Sequence, residues 1–290
     1  MNSVINPSHL KLRIRRLVAF LRVQPLILIC SSMIAVFIMV ALLSPWFTRD
    51  PIMANPLGRL TPPGTEYFFG TDGLGRDVFA RTVQGTRVSL VVGFGVTILA
   101  TLAGVVIGML TGYFRFVDFW LMRVMDALMA IPGVLMAIAL MTLFGASITN
   151  VIIAISIPEI PGIARLVRSI VLSLREQAYV KAAECIGTRL HGIMLRHILP
   201  NIVAPLIVQA SYVFAGAVIS EAILSFLGAG TPPEVASWGN MVAEGRLMFL
   251  VAPWVIFFPS AFLSAMVFII NILGDALRDT LDPRLAKELG

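Results

Sequence analysis

One carboxylate stands where charge is costly. Glu159, in Pro158-Glu159-Ile160-Pro161-Gly162, falls midway along an apolar run that this stretch should interrupt. A charge at that depth must meet water, a cation or a partner. Glu159 is therefore a candidate for lining a path through the run, and the competing reading is a protonated or internally bonded carboxyl at an interface. Arg123 and Asp126 stand three apart, so on a helix they share a face and can pair, bracing the helix rather than relaying protons. Gly70-Thr-Asp-Gly-Leu-Gly has the glycines of a phosphate loop, but no strand precedes it and no Gly-Lys follows, so a tight external turn with Asp72, Arg76 and Asp77 ordering the backbone is expected instead. Lys11, Lys181 and Lys287 follow Leu, Val and Ala, so no nucleotide-hydrolysing site is expected anywhere in the chain. His9, His191 and His197 lie outside the apolar runs, and Cys30 and Cys185 lack paired spacing. No catalytic residue, metal site, disulfide or cofactor is expected.

The elements that position these residues follow from composition. Of 290 residues, 58% are hydrophobic and 13% charged, against roughly 25% charged in soluble domains. The chain belongs in a bilayer. Its formal charge of +6 is spread along the sequence rather than clustered, which argues against a nucleic-acid partner. About 20 helical residues span a membrane, and six runs are long enough: Pro25 to Phe47, Val88 to Phe114, Val117 to Phe144, Ile148 to Arg168, Ile202 to Leu227 and Val251 to Leu273. The expected fold class is an all-α polytopic membrane protein with six transmembrane helices. Pro132 should kink the third run, because it lacks a donor and its ring crowds the preceding turn. Gly104, Gly108 and Gly112 recur every four residues in the second run, a ridge that lets another helix, of the same chain or of a partner, approach closely.

Orientation follows from the basic residues. Residues 1–24 carry Lys11, Arg13, Arg15, Arg16 and Arg22 and no acid, directly before the first span. With that start inside, inner segments hold fifteen Lys and Arg and outer segments six, with Arg123 left inside the third span. The bias puts both termini in the cytoplasm. Residues 1–290 then read as one membrane domain: cytoplasmic start 1–24, first span 25–47, external segment 48–87, five-span core 88–273 and cytoplasmic tail 274–290. Within the core, 169–200 is a long polar cytoplasmic loop. There, Ala178, Ala182 and Ile186 fall on one side at helical spacing. Gly187 can close that helix in the left-handed conformation, Thr188 can cap the next, and Pro200 ends it.

Lys181-Ala182-Ala183, then Gly187, then His197-Ile198-Leu199-Pro200 resembles the characteristic cytoplasmic loop of ABC importer permeases, Glu-Ala-Ala, three residues, Gly, nine residues, Ile-x-Leu-Pro. Lys181 replaces the usual Glu and His197 the usual Ile. Phe69 to Arg81, Gly85 to Leu90, Pro161 to Arg168, Leu224 to Pro233, Ser237 to Gly239 and Gly274 to Leu285 resemble one permease type of the dipeptide, oligopeptide and nickel importer family. The resemblance implies a type I importer permease fold whose loop, through Ala182, Ala183, Gly187, His197, Leu199 and Pro200, couples to an ATPase subunit. It also implies a second, nonidentical permease chain, two ATP-binding subunits, an external solute-binding protein and a bacterial inner-membrane location among lipid. Peptides are the favoured cargo, since no His, Cys or carboxylate cluster suggests a metal path. Nickel, glutathione or another small solute is the alternative, and a secondary transporter or channel subunit is the alternative of another class.

Overall fold

The computed structural model describes residues 25–281, so the basic start and the end of the tail, with Arg284 and Lys287, lie outside the described residues. The described chain is helical: α1 (Pro25–Phe47), α2 (Val78–Tyr113), α3 (Arg115–Met129), α4 (Gly133–Phe144), α5 (Ile148–Leu174), α6 (Ala178–Cys185), α7 (Leu190–Phe226), α8 (Trp238–Gly245) and α9 (Trp254–Leu281). Five of these helices are long and apolar enough to cross a membrane, and the bent pair α3–α4 makes up to six.

Helix α2 starts ten residues before the apolar run because Asp77 caps it, its carboxylate accepting from the amides of Phe79 and Ala80. Its 36 residues reach about 54 Å, well beyond a hydrocarbon core of roughly 30 Å. The first turns, with Arg81, can therefore stand outside the apolar layer. Helix α7 is similarly long at 37 residues, and its first turns belong to the polar loop.

The core is a stack of α2, α5 and α7, in which α2 lies most extensively against α5. The glycine ridge makes this contact. A Cβ on Gly104 would stand 2.6 Å from Ile163 Cβ, one on Gly108 2.6 Å from the Ala164 carbonyl oxygen and from Val167 Cβ, and one on Gly112 2.6 Å from Val171 Cβ. The ridge thus seats α5 of the same chain, and close approach gains dispersion contacts that lipid supplies less well. A second cluster joins α1, α2, α7 and α9 around Trp238, whose indole N–H donates to the Thr82 carbonyl.

Two expectations are corrected here and a third is sharpened. Pro158 and Pro161 do not interrupt the fourth span, because α5 runs unbroken through both, held along its length by α2. At Pro132, where a kink is expected, the third run bends more sharply still: α3 and α4 meet at 91°, across the Ala130–Pro132 break. Pro200 does not end a helix. It lies in a continuous α7, directly after a π-helical stretch, Ile193–Ile198, whose wider turn accommodates a residue with no amide donor.

Candidate functional site

The loop 175–200 is built on one short helix and one left-handed residue. Gly187 has φ +83°, its amide donates to the Glu184 carbonyl, and the Thr188 amide donates to the Ala183 carbonyl. This paired capping pattern needs a residue free to enter the left-handed region. Val180 and Ala183 face inward with Ile193 and Ile198 from the start of α7. Ala178, Ala182 and Ile186 face out, Ile186 being 84% exposed. Tyr113 at the end of α2 donates its hydroxyl proton to Glu184, and Arg175 donates to the Gly112 carbonyl, fixing the loop on the end of α2. Lys181 pairs with Glu176 at 2.7 Å on the surface. Thr188 does not cap α7: Arg189 holds that position and makes no side-chain capping bond. His197 packs beside Tyr179, and its carbonyl accepts from Asn201. Leu199 and Pro200 open the membrane-directed part of α7.

The intrahelical pair expected of Arg123 and Asp126 does not form. Asp126 accepts from Arg165 of α5 instead, while Arg123 lies over the Phe119 ring, 4.0 Å from its centroid. Asp118 takes a two-pronged bond from Arg168. Arg168 meets Asp118 with two parallel donors, a fork that suits a carboxylate, whereas Arg165 reaches Asp126 through one. Local spacing carries no signal of these partners, which stand 39 and 50 residues away.

Glu159 is half-buried on α5, beside the α3–α4 break: a Cβ on Gly133 would lie 3.2 Å from Pro158 Cβ. It has no ion-pair partner among the described residues. A different carboxylate, Glu221 on α7, is fully buried and accepts from the Ser225 hydroxyl at 2.7 Å. Ser225 in turn meets Thr231, and the Asn240 amide donates to Thr231, Pro232 and Val235. This chain of bonds folds the segment after α7 back onto α8.

The glycine-rich stretch before α2 is a folded turn whose polar side chains are taken up by one another. Asp72 accepts from the amides of Leu74 and Arg76, from Arg76 Nε at 2.7 Å and from the buried Arg81 guanidinium at 2.6 Å. Glu244 of α8 accepts from both arginines. Sequence reading singled out Asp72, Arg76 and Asp77 but not Glu244, which lies 163 residues beyond Arg81. Burial by itself would raise the Asp72 carboxyl, but the Arg76 amide, the Arg81 and Arg76 charges and the Leu74 amide outweigh it and hold it below its ordinary value of 3.8.

These features define a polytopic helical membrane component that carries a compact clamp at one end and an exposed helical knob at the other. Residues 100–287 match the family described as binding-protein-dependent transport system inner membrane component, and the chain belongs to that family. It is a permease subunit set in the inner membrane and working with a binding protein. Among its relatives, a protein described as a probable peptide ABC transporter permease from Sinorhizobium fredii is 47% identical over 90% of each chain. A dipeptide transport system permease protein from Alkalihalophilus pseudofirmus is 40% identical, over 91% of this chain and 88% of that one. An oligopeptide transport system permease protein from Bacillus subtilis is 37% identical, over 92% and 88%. An inward-facing structure of the MetNI methionine ABC transporter matches with a TM-score of 0.56, covering 70% of this chain and 96% of that one at 18% identity, a likeness of fold.

Proposed function

We propose that this chain forms one half of the translocation path of a peptide importer, paired with a second, nonidentical permease chain and driven by two ATPase subunits, one of which seats on α6. The observation that carries the mechanical part is the outward stripe Ala178, Ala182 and Ile186 on a short helix closed by a left-handed Gly187. Small residues let a groove approach the helix closely, and an apolar side chain 84% exposed gains by being covered. Peptide as cargo is supported by the relatives, whose names specify peptides, dipeptides and oligopeptides. The loop lies in the cytoplasm with both termini, and Ala183, His197, Leu199 and Pro200 link α6 to the span behind it, so that tilting of α6 moves α7.

The test is ATP-driven uptake of labelled peptides by the complete complex in proteoliposomes. ATP-dependent uptake is expected, and uptake without ATP, or none of any peptide that the binding protein retains, refutes the reading. Within it, Gly187→Val should abolish coupled uptake. Nothing lies within 4 Å of a Cβ there, so the effect comes from backbone strain of about 1–2 kcal/mol in the cap, aggravated by β-branching. Ile186→Glu should release the ATPase without lowering the stability of the permease. Normal uptake by both variants would remove α6 from the coupling role.

A further inference from the structure

Helix α3 lies across α5 instead of continuing α4, and one whole face of it is uncovered by the chain. Asp118 and Asp126 are eight residues apart, about 12 Å along α3, yet their partners Arg168 and Arg165 are three residues apart, about 4.5 Å along α5. Two rods joined in that way cross steeply, in keeping with the 91° turn into α4. The crossing falls in the last turns of α5, beside the contacts of Gly108 with Val167 and of Gly112 with Val171, on the side that carries α6. Helix α3 therefore lies across the direction of the spanning helices rather than along it.

Its inner face carries Val117, Leu121, Met125 and Asp118, which Arg168 occupies, while Asp126 is exposed at the edge and is paired with Arg165 of α5. What remains outside is Arg115, Phe116, Phe119, Trp120, Arg123 and Val124, all exposed, with Phe116 at 78%. Neither Arg115 nor Arg123 makes an ion pair among the described residues. The outward face is thus aromatic with two unneutralised positive charges. Aromatic rings with arginines on a helix laid flat suit the boundary between headgroups and acyl chains. Because arginines of α5 take up both carboxylates of α3, the charge left unpaired on the helix is positive, which complements a negatively charged partner.

We propose that α3 is an in-plane helix seated in the headgroup boundary of the leaflet on the α6 side, with anionic phospholipid as its partner. Arg115 and Arg123 meet the phosphates, and Phe116, Phe119 and Trp120 enter the acyl region. The seat holds the α3–α4 corner, and with it the surroundings of Glu159, at a fixed depth. This rests on the membrane-spanning assignment of the other helices, and on the proposed orientation only for which leaflet is meant.

The test uses the assembled complex with Cys30 and Cys185 replaced by Ser and a spin label on Phe116→Cys, in nanodiscs of phosphatidylcholine with or without phosphatidylglycerol. The label should collide with oxygen more than with a water-soluble nickel chelate. It should sit deeper when phosphatidylglycerol is present, and the joint change Arg115→Gln and Arg123→Gln should abolish that difference. A label shielded from both quenchers means that a partner chain covers the face, and one reached mainly by the chelate means that the face is in water; either overturns the proposal. Equal depth in the two lipids overturns its anionic part. Independently, brominated phosphatidylglycerol should quench a share of the tryptophan emission that disappears in Trp120→Phe, and an unchanged quenched share overturns the proposal as well. Peptide uptake is scored separately, so failure of the lipid seat and failure of the importer reading remain distinguishable.

Discussion

Two carboxylates show how differently charge is handled along one chain. Asp72 is met by two amides and two guanidinium groups, and its pKa is held below the ordinary 3.8. A carboxyl whose folded pKa is depressed adds stability that is complete above its unfolded value and is lost as pH falls through the folded value. Thermal unfolding of the purified permease should therefore shift to lower temperature as the pH drops below about 3.8. The variant Asp72→Asn should be less stable at neutral pH by about 3 kcal/mol, because it strips one partner from the buried Arg81, and its deficit should shrink in acid. A deficit independent of pH would show that the carboxylate charge is not what matters. Glu159 has no such partners. If it faces the path it should favour solutes with a free amino terminus, so Glu159→Gln should erase the preference for free over acetylated peptides in uptake assays while leaving expression unchanged. Equal uptake of the two by the parent protein would end that assignment.

Between elements, the decisive contact is α2 on α5. The ridge Gly104, Gly108 and Gly112 was legible as a packing surface, but its spacing does not say against what, and the contact with Ile163, Ala164, Val167 and Val171 is set by how the chain folds back. Gly108→Leu would drive a side chain into the Ala164 carbonyl oxygen, a backbone atom that cannot rotate away. The expected cost is about 1–3 kcal/mol, read as a lower melting temperature of the isolated permease and not merely as weaker pairing with another subunit. An unchanged melting temperature would show that α2 and α5 can separate without loss.

For the molecule as a whole, the clamp and the α6 knob lie at opposite ends of the spans. In the proposed orientation a cysteine at position 57, where Leu57 is fully exposed, is labelled in intact cells by an impermeant reagent, and one at position 191 only after permeabilisation. The reverse pattern would invert the topology. Clamp and knob are joined through α2, which carries Arg81 near its first turn and Tyr113 at its last. A rigid α2–α5 pair is thus placed to carry movement of α6 through the membrane.

The sequence by itself determined the all-α membrane class, the number of apolar runs, the glycine ridge and the position of the turn at Gly187. Each of these depends on residues within a few turns of one another: apolar length sets a span, a four-residue repeat sets a face, and a missing Cβ permits φ +83°. Only the tertiary structure decided that Asp126 and Asp118 bond α5, that Glu244 completes the clamp around Arg81, that α5 stays straight through two prolines and that α3 turns across it. These outcomes depend on partners tens to more than a hundred residues away. Spacing along one helix names only neighbours a turn or two away, whereas the buried Arg81 and the arginines of α5 find their carboxylates on other elements.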